Sequence, residues 1–175
     1  KSSHNKKILP SFGFQKYFFK SLKNNSKLTD QVYQALLGLN QKPDLYFRVY
    51  QNKNNNNKNL EKLISQSTAH TFLPDCYKIK SAGNPENWPG FSDGDFYIQD
   101  PASQIPALLL GSGERVLDMC AAPGGKSIIL AKNLTQNNSQ LICNEINKNK
   151  VEILEDNLEK YIGQGDSKPK IKIIN

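Results

Sequence analysis

Cysteine is scarce in this sequence: three of 175 residues, Cys76, Cys120 and Cys143. Three thiols at these separations build neither a disulfide framework nor a metal-ligand spacing, so a disulfide-stapled secreted module is excluded and no metal is expected. Long hydrophobic runs are missing as well. No stretch approaches the roughly 18 apolar residues of a membrane-spanning helix, and no charged-then-apolar segment opens the chain. No membrane partner is therefore expected and the location reads as intracellular, with nothing in the residues to separate nucleus or nucleolus from cytoplasm. Acidic residues are the minority, 16 against 23 Lys and Arg, giving a net charge of +7 and a pI near 9.2. That balance favours a polyanionic partner, although much of the excess falls in asparagine-rich polar stretches that a solvated lysine surface explains equally well. Two familiar glycine signatures are also absent. A P-loop needs glycine five residues before Gly125, where this chain has Cys120; Gly111-Ser-Gly113 begins like a dinucleotide fingerprint but precedes its strand, and its third glycine position is Val116.

What is present centres on Glu114 to Lys126, Glu-Arg-Val-Leu-Asp-Met-Cys-Ala-Ala-Pro-Gly-Gly-Lys. The short apolar run Val116, Leu117, Met119, broken by Asp118, suits a buried parallel strand whose carboxylate emerges at its C-terminal end. Gly124 and Gly125 permit close backbone approach, and Ile128, Ile129, Leu130 and Leu134 follow at helical spacing, so a ligand at the turn faces a helix N-terminus. Gln140 to Glu145 reads as a second buried strand, ending in a carboxylate about 20 residues after the glycines, where dinucleotide-type folds hold ribose hydroxyls. A tight strand-to-helix turn needs glycine for packing whether or not anything binds, so both readings stand; the ordered acid favours a ribose-bearing cofactor.

The rest of the chain divides into three. Residues 1–43 read as an N-terminal helical segment: a polar, basic start to Pro10, a basic amphipathic helix through Phe14, Tyr17, Phe18 and Leu22, and a second helix from an Asp30 cap through Val32, Leu36 and Leu37. Residues 44–98 read as a small α+β lobe. It has strands at Leu45–Val49, Cys76–Ile79 and Asp95–Ile98, a short helix at Leu60, Leu63 and Ile64, and an asparagine-rich surface loop over 51–59. Trp88, between Pro85 and Pro89, and His70, with no catalytic partner nearby, read as structural. Residues 99–175 carry the cradle. Asp100 and Pro101 open a helix whose Ile105, Leu108, Leu109 and Leu110 are expected against a sheet; Val151, Leu154, Leu158 and Ile162 mark a crossover helix, and 170–175 begins a third strand. A chain opening on Lys1 and stopping in that strand is expected to be an excerpt, its sheet truncated there; a monomer is taken as the default state.

Asp118 to Lys126 resembles the first motif of the Sun-type (NSUN) RNA cytosine-5 methyltransferases. Leu45-Tyr-Phe-Arg-Val49 resembles that family's "RVN" strand, Gly94 to Ser103 its "G-x-x-x-x-Q-D-x-A-S" segment, and Asn144 to Lys150 its second cofactor motif. The likeness covers most of residues 44–175. Tyr50 stands where Asn is usual, Glu145 where Asp is usual, and Lys150 where Arg is common.

The resemblance implies an α/β fold: the first half of a Rossmann-like S-adenosylmethionine-dependent methyltransferase sheet, preceded by the small α+β lobe and N-terminal helices. It implies methylation of cytosine carbon 5 in tRNA or rRNA, with S-adenosylmethionine as cofactor and RNA as partner. Cys120, Ala121, Ala122, Pro123, Gly124, Gly125 and Lys126 would line the cofactor, Glu145 would take its ribose hydroxyls, and Lys150 would lie beside it. Lys126 would also orient the target base; the plainer alternative is that it neutralises Asp118 or a cofactor carboxylate. In the family a thiolate adds to carbon 6 of the flipped base. The cysteines that attack and release it come from motifs after the third strand, so the nucleophilic Cys is not in this chain, which is expected to be inactive alone. A non-catalytic RNA-binding module, or a pseudo-enzyme keeping only the cradle, is the alternative.

Overall fold

The computed structural model describes residues 38, 43–50, 58–79, 83–134, 139–162 and 169–175, the side chain of Asn59 excepted. The chain forms two compact units, Lys1–Pro43 and Asp44–Asn175. The two expected N-terminal helices and most of the asparagine-rich loop lie outside the described residues. Both sheets belong to the second unit.

Among its described residues, seven strands and four α-helices follow in the order β1 (Tyr46–Val49), α1 (Lys58–Ser65), β2 (Ser67–Ala69), β3 (Cys76–Ile79), β4 (Phe96–Ile98), α2 (Pro101–Leu110), β5 (Arg115–Asp118), α3 (Gly125–Asn133), β6 (Gln140–Asn144), α4 (Lys148–Ile162) and β7 (Lys170–Ile174), with a 3-10 turn at Pro85–Asn87 before β4. The first four strands pair antiparallel in the order β2-β3-β1-β4. Two-residue periodicity turns Phe47 and Val49 to one face, where Ile79, Phe96 and the α1 residues Leu60 and Leu63 close a core. Phe47 stacks on Tyr77 at 5.6 Å and meets Phe96 edge-on at 5.3 Å, and Trp88 packs 6.1 Å from Phe96. His70 is also structural: its Nδ1 accepts from the backbone N–H of Phe72 and Leu73.

β5, β6 and β7 form a parallel sheet in that order, with Val116, Leu141 and Ile171 in one row and Asp118, Cys143 and Ile173 in the next. The crossover helices α3 and α4 cover it, burying Ile128, Ile129, Leu130, Leu154 and Leu158. The expected fold class therefore holds: an α/β chain with a partial Rossmann-like sheet. Two local features differ from the sequence reading, one a strand it did not name and one a loop boundary. The strand β2 carried no apolar alternation to reveal it, and α1 begins at Lys58, inside the stretch read as loop.

The expected apolar face of α2 is also corrected. Asp100 caps the helix as expected, its Oδ1 accepting from Ala102 N at 2.8 Å. Leu109 is 81% exposed, with Leu110 and Ile105 also open to solvent, while Gln104 and Ala107 are the buried residues. The reason is a buried polar hub. Gln104 Oε1 accepts from Arg48 Nη1 at 3.3 Å, and its Nε2 reaches Gln99 O at 3.0 Å and Cys76 Sγ at 3.3 Å. Satisfying that amide orients the helix, and the stripe at Gln104, Ala107 and Leu108 turns inward with it. The antiparallel sheet also meets α4: Tyr97 of β4 packs edge-on against Tyr161 at 5.1 Å, and Tyr50, just after β1, lies 5.9 Å from the same ring.

Candidate cofactor site

β5 ends in Asp118, which is buried and doubly engaged. Its Oδ2 accepts from Ser127 Oγ at 2.7 Å and its Oδ1 from Cys120 N at 3.3 Å, so one carboxylate ties the strand end to the loop and to the first turn of α3. The loop is pinned further along. Ala121 N donates to Asn144 O at 3.0 Å, Asn144 Nδ2 to Met119 O at 3.1 Å, and Gly124 N to Ala121 O at 2.8 Å.

Gly124 sits at φ 112°, in the left-handed region, as the N-cap of α3. A side chain there would meet Leu154 Cδ1 at 3.3 Å, and one at Gly125 would meet Tyr97 Cε1 at 2.9 Å and Gln99 Nε2 at 3.1 Å. Packing behind the loop thus accounts for both glycines, and its effect is to bring bare backbone forward. The first helical bond runs from Ile128 N to Gly124 O, 2.8 Å. The N–H groups of Gly125, Lys126 and Ser127 lie ahead of it, without helical acceptors, at the positive end of the helix dipole.

Glu145 follows β6 at the same carboxyl edge, Cys143 being the register partner of Asp118. It is 9% exposed; its Oε1 accepts from Asn147 N at 2.9 Å, its backbone N donates to Ile174 O, and its backbone O accepts from Asn175 Nδ2. Among the described residues Oε2 has no hydrogen bond. Lys126 lies half-buried in the first turn of α3 and makes no ion pair among the described residues; Asp118 is held by Ser127 instead. The fold therefore brings Cys120 to Lys126 and Glu145 to one edge. Lys150 is exposed in the first turn of α4, and among the described residues no hydrogen bond or ion pair joins its side chain to the loop.

Three further side chains shape this edge: Asn157 and Tyr97 carried no chemical signal in the sequence, and Gln99 is the glutamine of the Gly94–Ser103 segment. Asn157, an ordinary polar helix residue by spacing, donates from Nδ2 to Pro123 O at 2.7 Å. Tyr97 and Gln99 press on Gly125; Gln99 Nε2 reaches Ser103 O at 3.3 Å, while its Oε1 is buried without a donor among the described residues. Tyr50, the departure from the "RVN" pattern, contributes to the core below. Its ring packs with the parallel-sheet cluster, Lys132 Nζ lies 5.0 Å over it, and its buried hydroxyl has no partner among the described residues. Burial raises that phenol above its ordinary range and pushes Tyr161 up to about 12.

The edge thus offers amide donors and a lysine at one strand end and a carboxylate at the next. Such a pair suits an elongated ligand with an acidic or electron-rich end and a hydroxyl-bearing end.

The cysteines divide cleanly. Cys76 and Cys143 are buried and Cys120 is exposed. Burial raises both buried thiols, Cys143 to about 11 from an ordinary 9.0. The stability associated with Cys143 is accordingly complete below pH 9.0 and is lost as the pH climbs through about 11. An aromatic disulfide reagent at pH 8 is expected to titrate one thiol in the native protein and three after unfolding; two fast native thiols would contradict the burial.

Residues 106–168 match the family model described as 16S rRNA methyltransferase RsmB/F. The ribosomal RNA small subunit methyltransferase B of Klebsiella pneumoniae (strain 342) is 28% identical over 158 residues, covering 84% of this chain and 36% of that protein. The protein of the same name from Sodalis glossinidius is 35% identical over 102 residues, 55% of this chain and 24% of that protein. A solved structure of a methyltransferase homologue protein from Pyrococcus horikoshii superposes with a TM-score of 0.74 at 21% identity, covering 95% of this chain and 54% of that one; this likeness shows the fold. The chain spans little more than a third of the Klebsiella relative's length.

Proposed function

We propose, on the premise that this chain belongs to the RsmB/F, or Sun-type, methyltransferase family, that it forms the cofactor-binding half of an enzyme that methylates carbon 5 of cytosine in RNA. The family is one of S-adenosylmethionine-dependent methyltransferases. The observation that carries the reading is the clamped loop: Gly124 and Gly125 are closed from behind by Leu154, Asn157, Tyr97 and Gln99, so backbone amides face the carboxyl edge, with Glu145 on the neighbouring strand.

The residues fit the cofactor. The N–H groups that open α3 suit its carboxylate, the small residues Ala121, Ala122 and Gly124 leave room for its nucleoside, and Glu145 is an acceptor for ribose hydroxyls. When bound, it supplies an electrophilic methyl group. Lys126, with no competing ion pair among the described residues, is the cation of this edge and would orient the base and offset the negative charge its ring gains under attack.

Carbon 5 of cytosine becomes nucleophilic only after a thiolate adds to carbon 6. Cys76 and Cys143 are buried thiols held above their ordinary pKa, and Cys120 lies in the cofactor loop with its backbone on Asp118. The attacking thiolate is assigned to none of the three. The basic composition, +7, is consistent with RNA as the partner.

Calorimetry is expected to show binding of S-adenosylmethionine or its demethylated product. Glu145→Ala should weaken it by about 1–3 kcal/mol, because two hydroxyls lose a charged acceptor, and should keep the fold. ATP binding in place of the cofactor would overturn the reading; unchanged affinity in the variant would remove Glu145 from it.

A further inference from the structure

The glycine loop is held only in part from within, by Gly124 N on Ala121 O at 2.8 Å. Pro123 has no N–H, so its carbonyl is the only backbone group through which hydrogen bonding can fix it, and it stands just ahead of the N-cap, where no helical donor reaches back. That carbonyl is taken by Asn157 Nδ2 at 2.7 Å, from a helix 34 residues further along the chain.

Asn157 also packs where a Cβ on Gly124 would stand, at 3.5 Å. It lies three residues beyond Leu154, which is fully buried, so the same stripe of α4 that anchors the helix in the core delivers the amide to the loop. One side chain thus sets both the carbonyl direction of Pro123 and the position of the left-handed Gly124, and hence the direction in which the first amides of α3 point. Asn144, on Met119 O, fixes the other end of the loop.

We infer that Asn157 is a positioning residue for the cofactor loop: it touches no reacting atom and acts by holding the backbone that contacts the cofactor. The effect on cofactor binding rests on the reading proposed above; the effect on the loop does not. An effect through backbone placement falls on cofactor affinity, because the lost contacts are made equally before and during methyl transfer.

The test compares Asn157→Ala and Asn157→Asp with the parent protein, the aspartate keeping the shape but removing the donor at neutral pH. Glu159→Ala, an exposed change on the same helix, is the control. Amide hydrogen exchange in the ligand-free protein should quicken across 120–126 in both Asn157 variants and not in the control. Affinity for S-adenosylmethionine, read by calorimetry, should fall about threefold to tenfold, the equivalent of one net hydrogen bond; in the full-length enzyme KM for the cofactor should rise with kcat retained. Unchanged loop exchange in both variants would overturn the inference. Quickened exchange with unchanged affinity would restrict Asn157 to structure and overturn its positioning role. A parent protein that binds no S-adenosylmethionine would overturn the cofactor reading instead, with loop exchange still deciding whether Asn157 holds the loop.

Discussion

Gly124→Ala is expected to lower the stability of the protein by about 2–5 kcal/mol and to abolish measurable cofactor binding. Two costs add. At φ 112° an L-residue is strained by about 1–3 kcal/mol. The added methyl would also stand 3.3 Å from Leu154 Cδ1 and 3.5 Å from Asn157 Cβ, in a place where Leu154 is fully buried and has nowhere to move. Relief by moving the loop forward would carry the backbone into the space meant for the cofactor. Gly125→Ala isolates the packing cost from the backbone cost, because its φ is ordinary while the added methyl would stand 2.9 Å from Tyr97 Cε1 and 3.1 Å from Gln99 Nε2. Urea unfolding with parallel calorimetry measures both quantities; a Gly124→Ala protein within about 0.5 kcal/mol of the parent would refute the left-handed cap.

Gln104→Leu should cost about 2–4 kcal/mol, although it places an apolar residue of similar size in a fully buried site. The loss comes from what is stranded. Arg48 keeps Pro74 O at 3.0 Å through Nη1 and its ion pair with Asp75 at 3.7 Å through Nη2, but Nη1 loses a buried acceptor, while Gln99 O loses its amide donor. Cys76→Ala removes only a weak thiol acceptor and should cost less. If unfolding shows Gln104→Leu to be neutral, the joint between the antiparallel sheet and α2 is apolar packing and the polar hub is incidental.

The contrast between these residues shows what the sequence made legible. The parallel sheet could be read because each of its units declares itself locally: an apolar run, a glycine turn and a helical stripe within about 30 residues. The glycine loop and Glu145 were visible for the same reason. Gln104 was not, since the leucines around it implied a different inward face, and only the distant partners Arg48 and Cys76 explain why an amide outcompetes them for the interior. Asn157 was equally silent, because its partner is a carbonyl that every residue possesses. β2, three residues long and without an inward apolar series, acquires its identity only by pairing with β3. Local chemistry announces itself in sequence; a hydrogen bond between residues far apart in the chain does not.

The pin from Asn157 also bears on the order of assembly. β5, the glycine loop and α3 are contiguous, and a chain folding outward from them has every residue of the motif in place after about twenty positions, the length of one strand-turn-helix unit. Its shape is another matter. The loop carbonyl finds its donor only once α4 has docked, and Met119 O only once β6 has paired. The cradle is therefore completed late, by the second strand-helix unit acting on the first. The loop and its helix cut out alone would keep the motif and lose the shape.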